Sequence, residues 1–173
     1  MNRTTDRQPS VPWPDKIALV VFDFDGVMTD NRVLTFDDGA EAVFCNRADG
    51  LGIDLLRDAG LPMIILSTEA NAVVAARGRK LKLPVVQGCR DKGTSLKQYL
   101  AEHGIDPRHV VYVGNDVNDL DCLAMVGLPV AVADAVPEVL AVAKWILSRK
   151  GGDGAVRELC DAVWRALKQT PSV

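Results

Sequence analysis

Polar and charged residues gather at four places in this sequence, each directly after a run of apolar residues. Asp23 and Asp25 come first, one residue apart, after the apolar stretch that begins at Ile17. If that stretch is a strand, alternate residues share a face, so the two carboxylates point the same way. Unpaired they repel, and a bound divalent cation removes the repulsion. Ser67-Thr68-Glu69 follows the second run, Gln87-Gly88-Cys89-Arg90-Asp91-Lys92 the third, and Gly114-Asn115-Asp116-Val117-Asn118-Asp119 the fourth. Asp116 or Asp119 completes an oxygen-rich set with Asp23 and Asp25. Carboxylates, carbonyls and water without His or Cys select Mg2+ over zinc. Taken singly, each group has an ordinary explanation: turn-capping carboxylates, a strand-end serine, an exposed first-turn lysine. Folding does not require all four together.

The elements that must position these groups follow from the hydrophobic pattern. Short apolar runs at residues 17–24, 63–66, 84–86, 110–113 and 129–132 read as buried strands. Helical stretches separate them at 51–59, 71–81, 92–103, 120–126 and 137–143; a last short strand at 145–147 and an amphipathic helix at 155–168 close the chain. Gly60, Gly104 and Gly127 each follow a helical stretch, where helices favour glycine. Strands alternating with helices imply parallel pairing and right-handed crossovers, hence a three-layer α/β/α sandwich around a mainly parallel, Rossmann-like sheet. Such sheets bind ligands beyond the carboxyl ends of their strands, where the polar groups gather. One section breaks the rhythm: residues 33–36 and 41–45, around Asp37-Asp38-Gly39-Ala40, read as a β-hairpin with a DG turn.

Length and composition limit the alternatives. The chain has 173 residues, 48% hydrophobic and 25% charged, which suits one globular domain. The expected layout is a disordered leader over 1–15, the domain over 16–169 with its hairpin at about 32–46, and a tail at 170–173. Twenty Lys and Arg against 23 Asp and Glu leave a net charge of −3, which argues against a nucleic-acid partner. No apolar run approaches the ~18 residues of a membrane span. Four scattered cysteines and no secretory signal pattern lead us to expect reduced thiols in a cytoplasmic protein.

With these residues in view, Asp23-Phe24-Asp25-Gly26-Val27-Met28-Thr29-Asp30 resembles the first motif of the haloacid dehalogenase superfamily. Ser67 matches its second motif, Lys92 its third, and residues 114–119 its fourth, in the same order. The resemblance covers residues 17 to 168 and implies an Mg2+-dependent phosphatase. Asp23 would be the nucleophile that forms an aspartyl-phosphate. Asp25 would act as general acid and then general base. Mg2+ would sit on the Asp23 carboxylate, the Asp25 main-chain carbonyl and Asp116, with Asp119 supporting the metal directly or by orienting Lys92. Ser67 and Lys92 would hold phosphoryl oxygens.

The gaps where many members of the superfamily insert a cap domain hold only the hairpin and one helix with a strand, so the chain resembles the capless subclass. Within it, Asn46-Arg47-Ala48-Asp49-Gly50-Leu51-Gly52, Val132-Ala133-Asp134-Ala135 and residues 151–158 resemble two groups of phosphatases that act on 2-keto-3-deoxy sugar acid phosphates. One takes the eight-carbon 3-deoxy-octulosonate 8-phosphate, the other nine-carbon 9-phosphates of the sialic-acid type. Thr68-Glu69, with Lys80 one helix later, looks more like the nine-carbon group, which is the favoured expectation. The eight-carbon enzyme is the alternative, together with a non-catalytic assembly module like those fused to acylneuraminate cytidylyltransferases. Arg77 and Arg157 join Thr68, Glu69 and Lys80 as candidate contacts to an anionic sugar phosphate. Ordinary alternatives stay open: Glu69 as a first-turn carboxylate, Arg77 and Lys80 on a solvated face, Arg157 as a surface residue or one that reaches a neighbouring site. The apolar hairpin either folds onto its own domain or, as the resemblance implies, joins three copies in a homotetramer with shared active sites.

Overall fold

The computed structural model describes residues 12–169. Six strands form one sheet in the order β5-β4-β1-β6-β7-β8: β1 (Leu19–Phe22), β4 (Met63–Leu66), β5 (Val85–Val86), β6 (Val110–Gly114), β7 (Leu128–Ala131) and β8 (Trp145–Ile146). Every neighbouring pair is parallel, as the alternating pattern predicts. β1 is central, with Val21 beside Ile64 of β4 on one edge and Tyr112 of β6 on the other. All four of its side chains are buried, so both faces of the sheet are covered.

The covering helices are α1 (Arg47–Asp58), α2 (Ala72–Leu81), α3 (Lys92–Glu102), α4 (Leu120–Met125), α5 (Pro137–Val142) and α6 (Ala155–Gln169). Right-handed crossovers place α1 and α2 on one face and α3, α4 and α5 on the other. α6 returns to pack against α1. This is the three-layer sandwich expected from the sequence. The hairpin strands β2 (Thr29–Thr35) and β3 (Glu41–Cys45) pair antiparallel in a separate ribbon, and they are all that lies between β1 and α1. No helix among the described residues is long and apolar enough to cross a membrane.

Two boundaries differ from the sequence reading. α1 begins at Arg47 rather than 51, because the Asn46 side chain caps it by accepting from the Ala48 N–H at 2.9 Å. Gly50 and Gly52 look like helix breakers in the sequence. At Gly52, however, a Cβ would lie 2.8 Å from the Cys160 side chain, so the missing atom is what lets α1 and α6 approach. At the other boundary, Trp13 already packs edge-to-face on Trp145, with ring centroids 5.7 Å apart, inside the stretch expected as a leader. Residues 1–11 and 170–173 of the expected leader and tail lie outside the described residues.

The α1–α6 contact carries one expensive group. Asp49, in the first turn of α1, is 1% exposed and accepts the Arg157 backbone N–H at 3.0 Å through Oδ1, while Oδ2 is buried without a partner. Burial, only partly offset by that N–H and by neighbouring arginines, pushes its carboxyl from 3.8 up to about 6. The folded state therefore keeps the Asp49 proton up to about pH 6, whereas the unfolded chain releases it near 3.8. Stability from this group falls as pH rises through that window. We expect Asp49→Asn to be more stable than the parent by about 1–2 kcal/mol at pH 7.5, allowing for an unpaired amide donor, and to lose that advantage near pH 4. Urea unfolding at the two pH values measures both; an advantage that grows in acid would contradict the assignment.

Candidate active site

The central strand delivers Asp23 to the end of the sheet, where its N–H still bonds to the Val113 carbonyl at 3.0 Å. The chain then turns sharply. The Phe24 carbonyl accepts from Met28 N at 2.9 Å and Thr29 N at 3.2 Å, and the Thr29 hydroxyl accepts from Gly26 N at 3.1 Å. Gly26 has φ +82°, and a Cβ there would lie 2.1 Å from the Asn115 amide. Behind this loop runs the glycine-rich segment after β8. Gly152 N donates to the Val27 carbonyl at 3.0 Å, and a Cβ on Gly151 would sit 1.9 Å from the Gly26 carbonyl oxygen. That segment thus buttresses the loop of its own chain.

Lys92 is the first residue of α3, whose N-cap Asp91 accepts from Thr94 N at 2.8 Å. Its ammonium is buried and donates to Asp23 Oδ1 at 2.6 Å and to Asp119 Oδ1 at 2.7 Å. Asp119 is 0% exposed and takes three further donors: the Tyr112 hydroxyl at 2.6 Å, Asn115 N at 2.8 Å and Asp116 N at 3.3 Å. Asp119 therefore holds Lys92, and its oxygens are already occupied. Of the two roles expected for Asp119, direct metal ligand or orienter of Lys92, this contact matches the second.

One ammonium faces two buried carboxylates, and the titration directions follow. Burial first, then the charge of Asp119, push the Asp23 carboxyl up to about 7, against the pull of Lys92 and the Phe24 N–H. Burial pulls the Lys92 pKa down, but the charges of Asp23 and Asp119 outweigh it and hold that pKa above the ordinary lysine value. Burial and then the negative charge of Asp119 lift the Tyr112 hydroxyl well above its usual range, so its proton stays in place. Half-buried Asp25 is raised by burial first and by Glu69 next, which favours a carboxyl that keeps a proton to give away.

Among the described residues no group of three His, Cys, Asp or Glu side chains is placed to hold a metal. Oxygens do converge, however, on the cavity side of Asp23. With its amide nitrogen turned inward, Asn115 donates to the Asp25 carbonyl and to Asp23 Oδ2, at 2.9 Å each. Turned the other way, it presents its own oxygen to both, and three oxygens meet with no donor between them. That second arrangement is one a hard divalent cation completes. In that arrangement the oxygen beside Asp23 and the Asp25 carbonyl is that of Asn115, whereas Asp116 is the residue expected there. Asp116 caps the turn, accepting from Val117 N at 2.7 Å, and faces the cavity from there.

Above lies a cavity of about 490 Å3. Its lining comes from three regions: Asp23, Asp25, Asn115 and Asp116 at the strand ends; Thr68, Glu69, Asn71, Val73 and Val74 after β4; and Asn31, Arg32, Val33, Glu41 and Val43 of the hairpin region. Ser67 is buried beneath, and its Oγ accepts from Glu69 N at 3.1 Å. Three expected substrate contacts do not line the cavity of their own chain. Arg77 donates to the Asn46 carbonyl at 2.9 Å, with its Nε buried. Arg157 pairs with Asp161 one turn along α6 at 2.7 Å, and Lys80 is an exposed residue of the last turn of α2. The basic side chain that does line the cavity is Arg32, 80% exposed and paired with Asp30. Sequence reasoning missed Arg32, Asn115 and Tyr112. A signal existed for Tyr112, because a tyrosine inside a buried strand needs a partner for its hydroxyl.

Residues 66–159 match the family of haloacid dehalogenase-like hydrolases. The chain belongs to this family. Among haloacid dehalogenase-like hydrolases it is 36% identical to the 3-deoxy-D-manno-octulosonate 8-phosphate phosphatase of Yersinia pestis over 148 residues, 85% of this chain and 79% of that one. A HAD family hydrolase of Streptomyces avermitilis superposes with a TM-score of 0.85 at 53% identity, covering 90% of each chain. The Moraxella catarrhalis 3-deoxy-D-manno-octulosonate 8-phosphate phosphatase, solved with magnesium, phosphate and KDO, superposes with a TM-score of 0.85 at 30% identity, covering 89% of each chain. The expectation of a phosphatase of this superfamily is borne out.

Tyr112 offers a test of the network below the cavity. Tyr112→Phe removes one donor from the Asp119 oxygen that also binds Lys92. We expect a loss of about 1–2 kcal/mol in stability and a lower kcat with little change in KM, read from urea unfolding and steady-state kinetics.

Proposed function

We propose that this chain is an Mg2+-dependent phosphatase of 3-deoxy-octulosonate 8-phosphate. The observation that carries the chemistry is the buried ammonium of Lys92 held between Asp23 and Asp119, directly under a cavity that admits a sugar phosphate. Asp23 attacks phosphorus; the bond from phosphorus to the sugar oxygen breaks, and Asp25 gives its proton to that oxygen. A water, losing a proton to Asp25, then attacks the aspartyl-phosphate and frees phosphate and the Asp23 carboxylate. Lys92 stabilises charge on the transferring group and holds the Asp23 carboxylate in line. The Ser67 hydroxyl, whose oxygen already accepts from Glu69 N, has its own proton for a phosphoryl oxygen. Asp23, the Asp25 carbonyl and Asn115 would hold Mg2+, which would supply positive charge against the repulsion between carboxylate and phosphate.

The eight-carbon substrate is supported by the named function of the relatives, which replaces the earlier preference for nine carbons. Glu69, facing the cavity, still favours the nine-carbon reading as the second choice. With Arg77, Arg157 and Lys80 off the cavity wall, Arg32 receives the sugar carboxylate, exchanging Asp30 for the substrate. An assembly module without catalysis would have no use for three buried charges under an open cavity. The hairpin exposes Val33, Leu34, Phe36 and Phe44, the last at 74%, an apolar surface suited to pairing with other copies in a homotetramer.

A panel of phosphate esters assayed with Mg2+ separates the two sugar acids. We expect the eight-carbon ester to have the highest kcat/KM. Arg32→Ala should raise KM for acid sugars about tenfold with little effect on neutral ones, and Asp23→Asn should abolish turnover. No turnover of either acid sugar would sink the proposal.

The metal site has its own test. Asn115→Asp adds a carboxylate beside Asp23, so we expect a lower melting temperature without metal and a larger upward shift on adding Mg2+ than in the parent. Asn115→Leu should lose most of the shift. Thermal unfolding with and without Mg2+ reads both.

A further inference from the structure

We propose that Glu41 and Asn71 form a clasp that fixes the width of the cavity and so tunes recognition of the sugar, a reading that rests on the proposed phosphatase function. Two-stranded ribbons are marginal on their own, so the hairpin needs an anchor if it is to serve as a wall. Its pairing also slips between Thr29 and Val33, which leaves the root of the ribbon irregular. Glu41 opens β3 and sits across from Thr35, at the end near the turn and far from the root. There the Asn71 amide nitrogen donates to the Glu41 carboxylate.

Asn71 is the N-cap of α2, and its Oδ1 accepts from Val73 N at 3.1 Å. One amide thus does two things: its oxygen starts the helix and its nitrogen grips the hairpin. A second tie, from Arg77 to the Asn46 carbonyl at 2.9 Å, holds the return of the ribbon against the same helix. Both tied parts line the cavity, Val33 and Val43 from the hairpin and Val73 and Val74 from the start of α2. The clasp therefore sets how the hairpin side of the lining sits relative to the α2 side. The bonds of Lys92 to Asp23 and Asp119 lie at the sheet end below and do not involve either residue. The clasp is a positioning device, acting through the wall it holds.

The test exchanges the two chemistries. Asn71→Asp keeps an oxygen to cap α2, since Asp caps as well as Asn, but sets a carboxylate against Glu41. We expect kcat/KM for the acid sugar phosphate to fall about tenfold relative to that for p-nitrophenyl phosphate, chiefly through KM. Adding Glu41→Gln supplies an amide donor to the new carboxylate and should restore the ratio to within about twofold. Limited proteolysis provides a readout independent of substrate: cleavage within residues 36–40 should be several-fold faster in Asn71→Asp and slow again in the double variant. An unchanged ratio in Asn71→Asp, or a double variant no better than the single, would overturn the clasp. Failure of every variant and the parent to hydrolyse the sugar phosphate would count against the assigned substrate instead, and proteolysis would still decide the clasp.

Discussion

Burying one ammonium between two carboxylates organises this molecule. Lys92, Asp23 and Asp119 come from three separate places in the chain, and none is stable in a dry interior without the others. Their meeting demands that β1, β6 and the start of α3 end at the same level, which the parallel register enforces. Polar groups already in the frame relieve the remaining negative charge: the Tyr112 hydroxyl, two backbone N–H groups on Asp119 and the Phe24 N–H on Asp23. The cluster still carries more negative than positive charge. A phosphoryl group arriving with a divalent cation meets a carboxylate whose orientation is set and whose charge is incompletely balanced.

Around that cluster the backbone is packed so closely that side chains are excluded. Asn115 fills the space beside Gly26, and the Asp119 carboxylate lies 2.4 Å from where a Gly114 Cβ would be. Gly151 rests on the carbonyl of Gly26 itself. The nucleophile loop is thereby held from the front by a side chain and from behind by backbone. The loop under the cavity is tightly packed, while the hairpin that also lines it is a thin two-stranded ribbon. Catalytic geometry and substrate fit thus fall to parts of very different packing.

How far the sequence speaks for this site depends on the kind of information involved. Asp23, Asp25, Thr68, Glu69 and Asp116 could be assigned to one cavity because each follows an apolar run, and parallel strands bring their ends together. The sandwich itself was legible from the same runs. What a one-dimensional reading does not resolve is which of two adjacent polar residues turns inward. Asn115 and Asp116 are neighbours, yet one points at Asp23 and the other caps a turn. Long cations are harder still. Arg77 and Arg157 had the right charge for an anionic sugar, but a carbonyl and an i,i+4 carboxylate nearer to hand claimed them. Arg32 went unnoticed because nothing in its local pattern marks it; only the folded hairpin brings it to the mouth of the cavity.

The outermost strands, β5 and β8, are two residues long. A longer strand in either place would offer a row of unpaired N–H and carbonyl groups to any extended chain nearby, the common route to domain swapping and fibrils. Here both borders of the sheet are too short to template such growth. Strand addition to the six-stranded sheet is thereby discouraged, and the longer strand edges belong to the hairpin, where β2 and β3 run seven and five residues. The main sheet thus offers no seam along which it would extend indefinitely, even though the ribbon beside it exposes apolar side chains.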